Sequence, residues 1–411
     1  MIKPLYTLVF VLLFFQAKSQ IMWQFNKDSL ITWHYEDGDE FNGTKLNTMQ
    51  WSDWYGWGRS ISANKEQQYY SKYTNHSLKN GILSLSAKRE DVYERYVDWM
   101  GDNDSIFENK NYQGPNKRKF TYTAGLLQSK RDYLYGCFEI KFKIPSEKGF
   151  WPAFWLYGGT PNEEIDWMEL KTERPDEIHV GRHCQNKKDN YFRSILKKRA
   201  WGDWVKFDGS LNKGYNVITG IWTANSLRYY LNGECIAIAN VNMQIPKKLV
   251  LNIAVSSDKG SYSPGPNKDF KDSVNFEVDY VRIWTRSEYT GKRASKHPKA
   301  SEPITGAEPV ETSKLISKSK LHYGKKELHK NEGFFASLVP QTGFKYQLSV
   351  LGREIPDNGT VILKDGSEKI IHEAALKYGI TTFDLFTHQG ADLQLIIKAF
   401  GKESSYNFTV N

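Results

Sequence analysis

The run Glu163-Glu164-Ile165-Asp166-Trp167-Met168-Glu169-Leu170 sets three carboxylates, Glu164, Asp166 and Glu169, among Ile, Trp, Met and Leu. Those apolar residues read as a buried β-strand, where an unpaired carboxylate is expensive. Side chains alternate along a regular strand, so Glu164 and Asp166 share one face and Glu169 points away. One extra residue in the strand, a β-bulge, brings Glu169 round beside the other two. Three carboxylates then project from one patch of sheet into a common cleft. Like charges that close split their pKa values, leaving one group ionised and another protonated near neutral pH.

An isolated pattern of acids at this spacing is more often a solvated strand edge. Here the preceding segment, Gly149-Phe150-Trp151-Pro152-Ala153-Phe154-Trp155-Leu156, is a second strand rich in aromatics. Residues 157–162, with two Gly, a Pro and an Asn, read as the turn that makes the two strands neighbours. Indole and phenol faces stack on the C–H faces of sugar rings, so acids beside aromatics suit a sugar-cleaving cleft. A carboxylate nucleophile and a carboxylic acid about 5–5.5 Å apart are what a retaining glycosidase uses.

With these residues in view, the chain resembles glycoside hydrolase family 16, in the branch whose catalytic strand carries a bulged E-I-D-x-x-E motif (laminarinases, agarases, porphyranases, carrageenases). Asp39-Glu40-Phe41-Asn42-Gly43-Thr44 is similar to the family's opening strand, and Asn64-Lys65-Glu66-Gln67-Gln68-Tyr69-Tyr70 to its N-x-E-x-Q-x-Y segment. Residues 81–90, 122–127 and 135–139 match further strands, although Cys137 stands where the family often has Arg. Val278-Asp279-Tyr280-Val281-Arg282-Ile283-Trp284 resembles the closing strand. The resemblance implies a jelly-roll β-sandwich and a retaining double displacement. Glu164 would be the nucleophile, Asp166 the assisting acid and Glu169 the general acid/base. It also implies substrate contacts from Asn64, Glu66, Trp151, Trp155, His179 and Arg182, no required cofactor, and allows a structural calcium near the Asn42-Gly43 turn and Asp279; Trp57, within the aromatic and cationic residues 55–59, is a further candidate for the cleft wall. Core packing is the competing role for one of Trp151 and Trp155, and a satisfied sheet histidine is the competing role for His179.

Short runs of Val, Ile, Tyr, Phe and Trp recur between Gly, Asn and Pro turns, and aromatics reach 14% of the chain, so the class is all-β. Lys3 followed by the apolar residues 8–15, with Ala17 and Ser19 behind them, reads as an export signal over residues 1–19. That run is too short to span a membrane, so a secreted, periplasmic or cell-surface monomer is expected. The catalytic sandwich is assigned to residues 20–286, a linker to 287–325, and a small β-sandwich module to 326–411. Residues 91–119 read as a long polar insertion that could wall one end of the cleft. Cys137, Cys184 and Cys235 form neither a disulfide framework nor a metal-ligand spacing.

The net charge of +9 favours anionic partners. Basic residues gather in residues 182–188 and 193–199, after the catalytic strand, which suits a sulfated galactan as well as it suits a solvated loop. No nucleic-acid motif accompanies the charge. The expected substrate is a polysaccharide, either a red-algal galactan (agar, porphyran or carrageenan) or a β-1,3-glucan such as laminarin. The alternative is a non-catalytic carbohydrate-binding protein on the same fold.

Overall fold

The computed structural model describes residues 21–109, 112–158, 163–184, 200–224, 226–241, 243–262, 264–270, 272–286, 314–315, 333–341, 343–352 and 354–411. The expected export signal, nearly all of the expected linker, residues 159–162 of the expected turn and the basic residues 185–199 lie outside them. Among the described residues there is no α-helix, and strands are joined by turns and two single 3-10 turns. Among the described residues no helix is long and apolar enough to cross a membrane.

Two sheets face each other across one large apolar core. The inner sheet runs, in spatial order, Lys314–Leu315, Ala200–Asp208, Glu177–Cys184, Glu163–Glu169, Phe150–Gly158, Lys247–Val255, Leu126–Tyr133 and Trp51–Ser52. On the outer sheet, Gly136–Lys143 lies between Asn216–Trp222 and the long strand Ser273–Thr285. This is the jelly-roll sandwich that the family resemblance implies, in the all-β class that the residue pattern indicates.

The acidic strand departs from regularity at one place. Asp166 pairs with Trp155 and Met168 with Phe154, so Trp167 is the extra residue; the ladder to Glu177–Cys184 shifts over the same span. Trp167 and Met168 are consecutive, yet both are fully buried in the core. The Trp167 indole stacks on Phe138 at 5.9 Å and meets Tyr229 edge-on at 5.2 Å. Its seat requires Gly220, where an added Cβ would lie 2.2 Å from the indole ring. The bulge is thus held from the core side by a large side chain filling a notch that only glycine leaves open.

A second anchor sits one residue before Glu164. Glu163 and Lys247 form an ion pair with no exposed side-chain surface, at 2.6 Å, and the ammonium also donates to the Ile245 carbonyl at 2.7 Å. The Trp222 ring lies 4.4 Å from Nζ and completes the enclosure. A pair this deep offsets its own desolvation only through such added contacts, and losing one partner strands a buried charge.

The C-terminal strands meet the N-terminal strand Ile21–Phe25, which pairs on one side with Leu30–Asp39 and on the other with Phe334–Pro340. Alternation sends Trp23 and Phe25 into a core shared with Phe334, Leu348, Val361 and Leu395, beneath the four-stranded sheet of Ile370–Ala375, Thr360–Asp365, Asp392–Ala399 and Lys402–Thr409. Met22 faces the other way, into a cluster with Trp33, Cys137, Cys235, Trp284 and Phe335. Cys137 and Cys235 are buried thiols there, and Cys235 Sγ donates to the Ala237 carbonyl at 3.8 Å.

Residues 91–119 are not the open loop expected from their polarity. Ile82–Arg95 and Lys117–Ala124 continue their ladder through a shift between Arg89 and Val92, and Ser105–Asn109 pairs with Tyr112–Pro115. Val92 and Phe120 supply apolar cross-strand contacts that polar neighbours mask in the sequence. None of the described residues in this stretch lines the cleft.

Gly220→Ala tests the seat of the bulge. Chemical denaturation is expected to show a loss of about 1–3 kcal/mol, typical of core overpacking. Turnover under folding conditions should fall further than that loss explains, because the acids lose their register.

Candidate active site

The inner sheet forms the floor of a cleft of about 1150 Å³ that crosses its strands. Glu164, Asp166 and Glu169 all line it, as the bulge requires. Asp166 is 2% exposed and hydrogen-bonded to Glu164. Burial, then repulsion from Glu169, pushes the Glu164 carboxyl up to about 8. Burial and the two flanking acids push Asp166 well above the usual carboxylate range. The trio therefore retains a proton at neutral pH. Asp166, the more enclosed, is the residue that holds it and donates to Glu164.

Glu169 is oriented by two groups. His179 Nδ1 lies 2.7 Å from its Oε2, and the Tyr262 hydroxyl hydrogen-bonds to the same carboxyl. His179 has room because Gly202 stands beside it, where a Cβ would lie 2.5 Å from Nε2. Tyr262 in turn stacks flat on Trp151, with ring centroids 3.7 Å apart. Beyond it stands Trp204, and the Lys171 ammonium sits 5.3 Å from the Tyr262 ring and 5.4 Å from the Trp204 ring.

At the other acid, His183 Nε2 lies 3.8 Å from Glu164 Oε1 and 3.6 Å from Asp166 Oδ2. Desolvation lowers its pKa, which favours the neutral ring at neutral pH. Trp57 stacks on Tyr55 at 4.5 Å and approaches Tyr157 at 4.7 Å, forming a cleft wall. Trp151 and Trp155 share the cleft face because their strand pairs with Lys247–Val255 without a break. Both nevertheless keep under a tenth of their surface exposed, so each packs and lines at once. The Trp155 indole donates to Asn252, which donates to the Tyr70 hydroxyl. Asn64 ends the 3-10 turn Ser62–Asn64 and donates to Glu66 Oε1 at 3.0 Å; Gln68 donates to the other Glu66 oxygen. Asn64 and Glu66 both line the cleft.

Arg182 does not. It is fully buried on the core side of its strand, three positions from His179 and hence on the opposite face. His183, its neighbour, occupies the cleft position instead. Reading the basic segment by sequence proximity missed this parity. Sequence reasoning also missed Tyr262, Trp204 and Lys171. For Tyr262 the available signal was an aromatic in the Pro- and Gly-rich stretch Ser261-Tyr262-Ser263-Pro264-Gly265-Pro266.

Among the described residues, one group brings three metal-capable atoms within 4.8 Å of one another, namely Glu164, Asp166 and His183. These include the carboxylates of the trio, so a cation there would occupy the groups available for acid chemistry. A calcium using Asp279 does not fit, because its carboxylate is buried against the Lys141 ammonium at 2.6 Å.

A sandwich carrying a bulged acidic strand in an aromatic cleft defines a hydrolase of glycosidic bonds. The chain belongs to glycosyl hydrolases family 16, whose sequence profile matches residues 64–282. It is 28% identical over 284 residues to a glucan endo-1,3-beta-glucosidase of Cryptopygus antarcticus, covering 62% of this chain and 92% of that one. It is 26% identical to glucan endo-1,3-beta-glucosidase A1 of Niallia circulans over 60% of this chain and 37% of the relative. A solved structure from a study of endo-acting O-glycanases, which members of the human gut microbiota express to initiate mucin breakdown, superposes with a TM-score of 0.51. It is 25% identical and covers 63% of this chain and 93% of its own. The laminarinase catalytic domain of Thermotoga petrophila, 19% identical with a TM-score of 0.50 over 62% of this chain and 99% of its own, shares the fold. The homologues support an endo-β-glycosidase rather than a non-catalytic binding protein.

Asp166→Asn separates folding from chemistry. An acid with a raised folded pKa binds its proton more tightly when folded, so its contribution to stability is full below about pH 4 and declines as pH rises. Asn does not titrate, so the variant's melting temperature relative to wild type is expected to climb between about pH 4.5 and pH 8. Its turnover should drop at least about tenfold. Parallel thermal unfolding and reducing-end assays across that range check both.

Proposed function

We propose that this protein is an exported, monomeric, retaining endo-hydrolase of β-1,3-linked glucan of the laminarin type. The observation that carries the reading is the bulge at Trp167, which puts Glu164, Asp166 and Glu169 on one face of an aromatic-walled cleft. In this reading Glu164 attacks the anomeric carbon while Glu169 protonates the leaving oxygen. Glu169 then takes a proton from water, which releases the sugar from Glu164. Asp166 donates to Glu164 in the free enzyme and supports its loss of charge as the glycosyl bond forms. His179 and Tyr262 hold the Glu169 carboxyl in place for both steps. Trp57, Trp151 and Trp155 supply stacking faces, and Asn64 with Glu66 supplies hydrogen bonds to sugar hydroxyls. The glucan backbone is supported by the glucan endo-1,3-beta-glucosidase relatives, and export by Lys3 and the apolar residues 8–15.

Lys171 and Lys248 in the cleft favour a second substrate, a galactan or mucin-type chain carrying sulfate or carboxylate groups. The likeness to the O-glycanase structure lends it weight.

Reducing-end release from laminarin, mixed-linkage glucan, agarose, porphyran, carrageenans and mucin O-glycans distinguishes the two. Glu164→Gln and Glu169→Gln are each expected to lower the rate by about 10³-fold or more while the fold persists. NMR of the first product should show a retained β-anomer. A folded Glu164→Gln enzyme with normal turnover would defeat the assignment.

A further inference from the structure

Outside the cleft, one apolar feature is both exposed and rigidly built. Trp99 is 60% exposed and packs edge-on against Trp54, with ring centroids 5.6 Å apart. The turn that presents Trp99 is clamped from below by Asn116, a fully buried side chain. Its amide donates to the carbonyls of Val97, Met100 and Gly101 and accepts from the Val97 N–H. Asp98, next to Trp99, takes two hydrogen bonds from the buried Arg59 guanidinium at 3.0 and 2.6 Å. The same guanidinium donates to the carbonyls of Asp53 and Tyr70 and lies 5.9 Å from the Trp54 ring. The turns that carry both indoles are therefore held by buried polar groups, and the indoles pack against each other. An exposed indole so held is pre-organised for a ligand.

Its position names the ligand. The cleft sheet ends at the edge strand Trp51–Ser52, and Trp54 follows two residues later. Tyr55, Gly56 and Trp57, the next three residues, line the cleft. Trp54 and Trp57 are separated by at most about 11 Å of Cα path, which places this aromatic pair within reach of a chain leaving the cleft past Trp57. Two indoles expose far less than the ~800 Å² per partner that a stable protein interface takes, but they match the apolar face of one or two pyranose rings. Asp98 and Lys72, joined at 3.4 Å, give the rim a hydroxyl acceptor and a donor.

We infer that Trp54 and Trp99 form a second carbohydrate-binding site, which holds the substrate polysaccharide outside the cleft. The inference rests on the polysaccharide reading above for its ligand. Holding one chain at two points raises the local concentration of cleavable linkages without new contacts at the acids. Long or insoluble polymers gain from it, and short oligosaccharides that fit within the cleft do not.

The test uses Trp99→Ala in two backgrounds. In the Glu164→Gln background, electrophoretic retardation is measured in gels containing laminarin, porphyran, carrageenan or mucin O-glycans. In the active enzyme, hydrolysis of the same polymer is compared with hydrolysis of a short oligosaccharide derived from it. The expected result is weaker retardation and a KM for polymer raised about threefold to tenfold, with kcat on the oligosaccharide unchanged. Trp54→Ala should reproduce the effect. Unchanged retardation and unchanged polymer KM in folded Trp99→Ala would overturn the site. Trp99-dependent retardation without cleavage of any polymer would overturn the proposed hydrolysis and leave the site standing. No retardation of the parent protein in any gel would overturn the site.

Discussion

The contact between Trp167 and the notch at Gly220 governs the chemistry from the opposite side of the sheet. A β-bulge displaces one residue from the ladder, and that residue needs somewhere to go. Here it goes into the core, where Phe138 and Tyr229 meet the indole and the missing Cβ of Gly220 makes space. Apolar packing of Trp167 thereby offsets part of the cost of crowding three partly desolvated acids on the other face. The buried Glu163–Lys247 pair pins the start of the same strand. Between these two anchors, Glu164, Asp166 and Glu169 have little freedom to spread apart and relieve their repulsion.

Burial, together with that repulsion, is the usable quantity. A solvated trio would ionise fully and offer no proton. In this cleft burial raises Glu164 and Asp166, and Asp166, the more enclosed of the two, keeps the shared proton. Glu169 is treated differently, receiving contacts from His179 and Tyr262. Three residues of similar chemistry are thus given unequal surroundings by strand parity and by the neighbours each one meets.

Much of this was legible in the residue pattern. The acids at 164, 166 and 169 cannot share a face on a regular strand, so the pattern itself demands the bulge, and the aromatic strand beside it marks the cleft. Parity also explains the error at Arg182, since positions 179 and 182 differ by an odd number and must face opposite ways. Tyr262 was harder to find, because it reaches Glu169 from a loop nearly a hundred residues downstream and no local periodicity announces the contact. The pairing of Ile21–Phe25 with Phe334–Pro340 was invisible for the same reason: a strand's alternation gives its faces but not its partner.

The N-terminal strand has a further consequence for how the molecule holds together. Its five residues supply Trp23 and Phe25 to one core and Met22 to another, so a single strand is shared between the C-terminal sheets and the outer face of the catalytic sandwich. Phe334–Pro340 repeats the arrangement, with Phe334 in the first core and Phe335 in the second. Both cores therefore require residues widely separated along the chain to pair, which adds a long-range closure to the entropic cost of folding. The acidic strand contributes nothing toward that closure. It lies on the inner sheet, away from this junction, where loops that shape the cleft can vary without disturbing the strands that join the two ends of the chain.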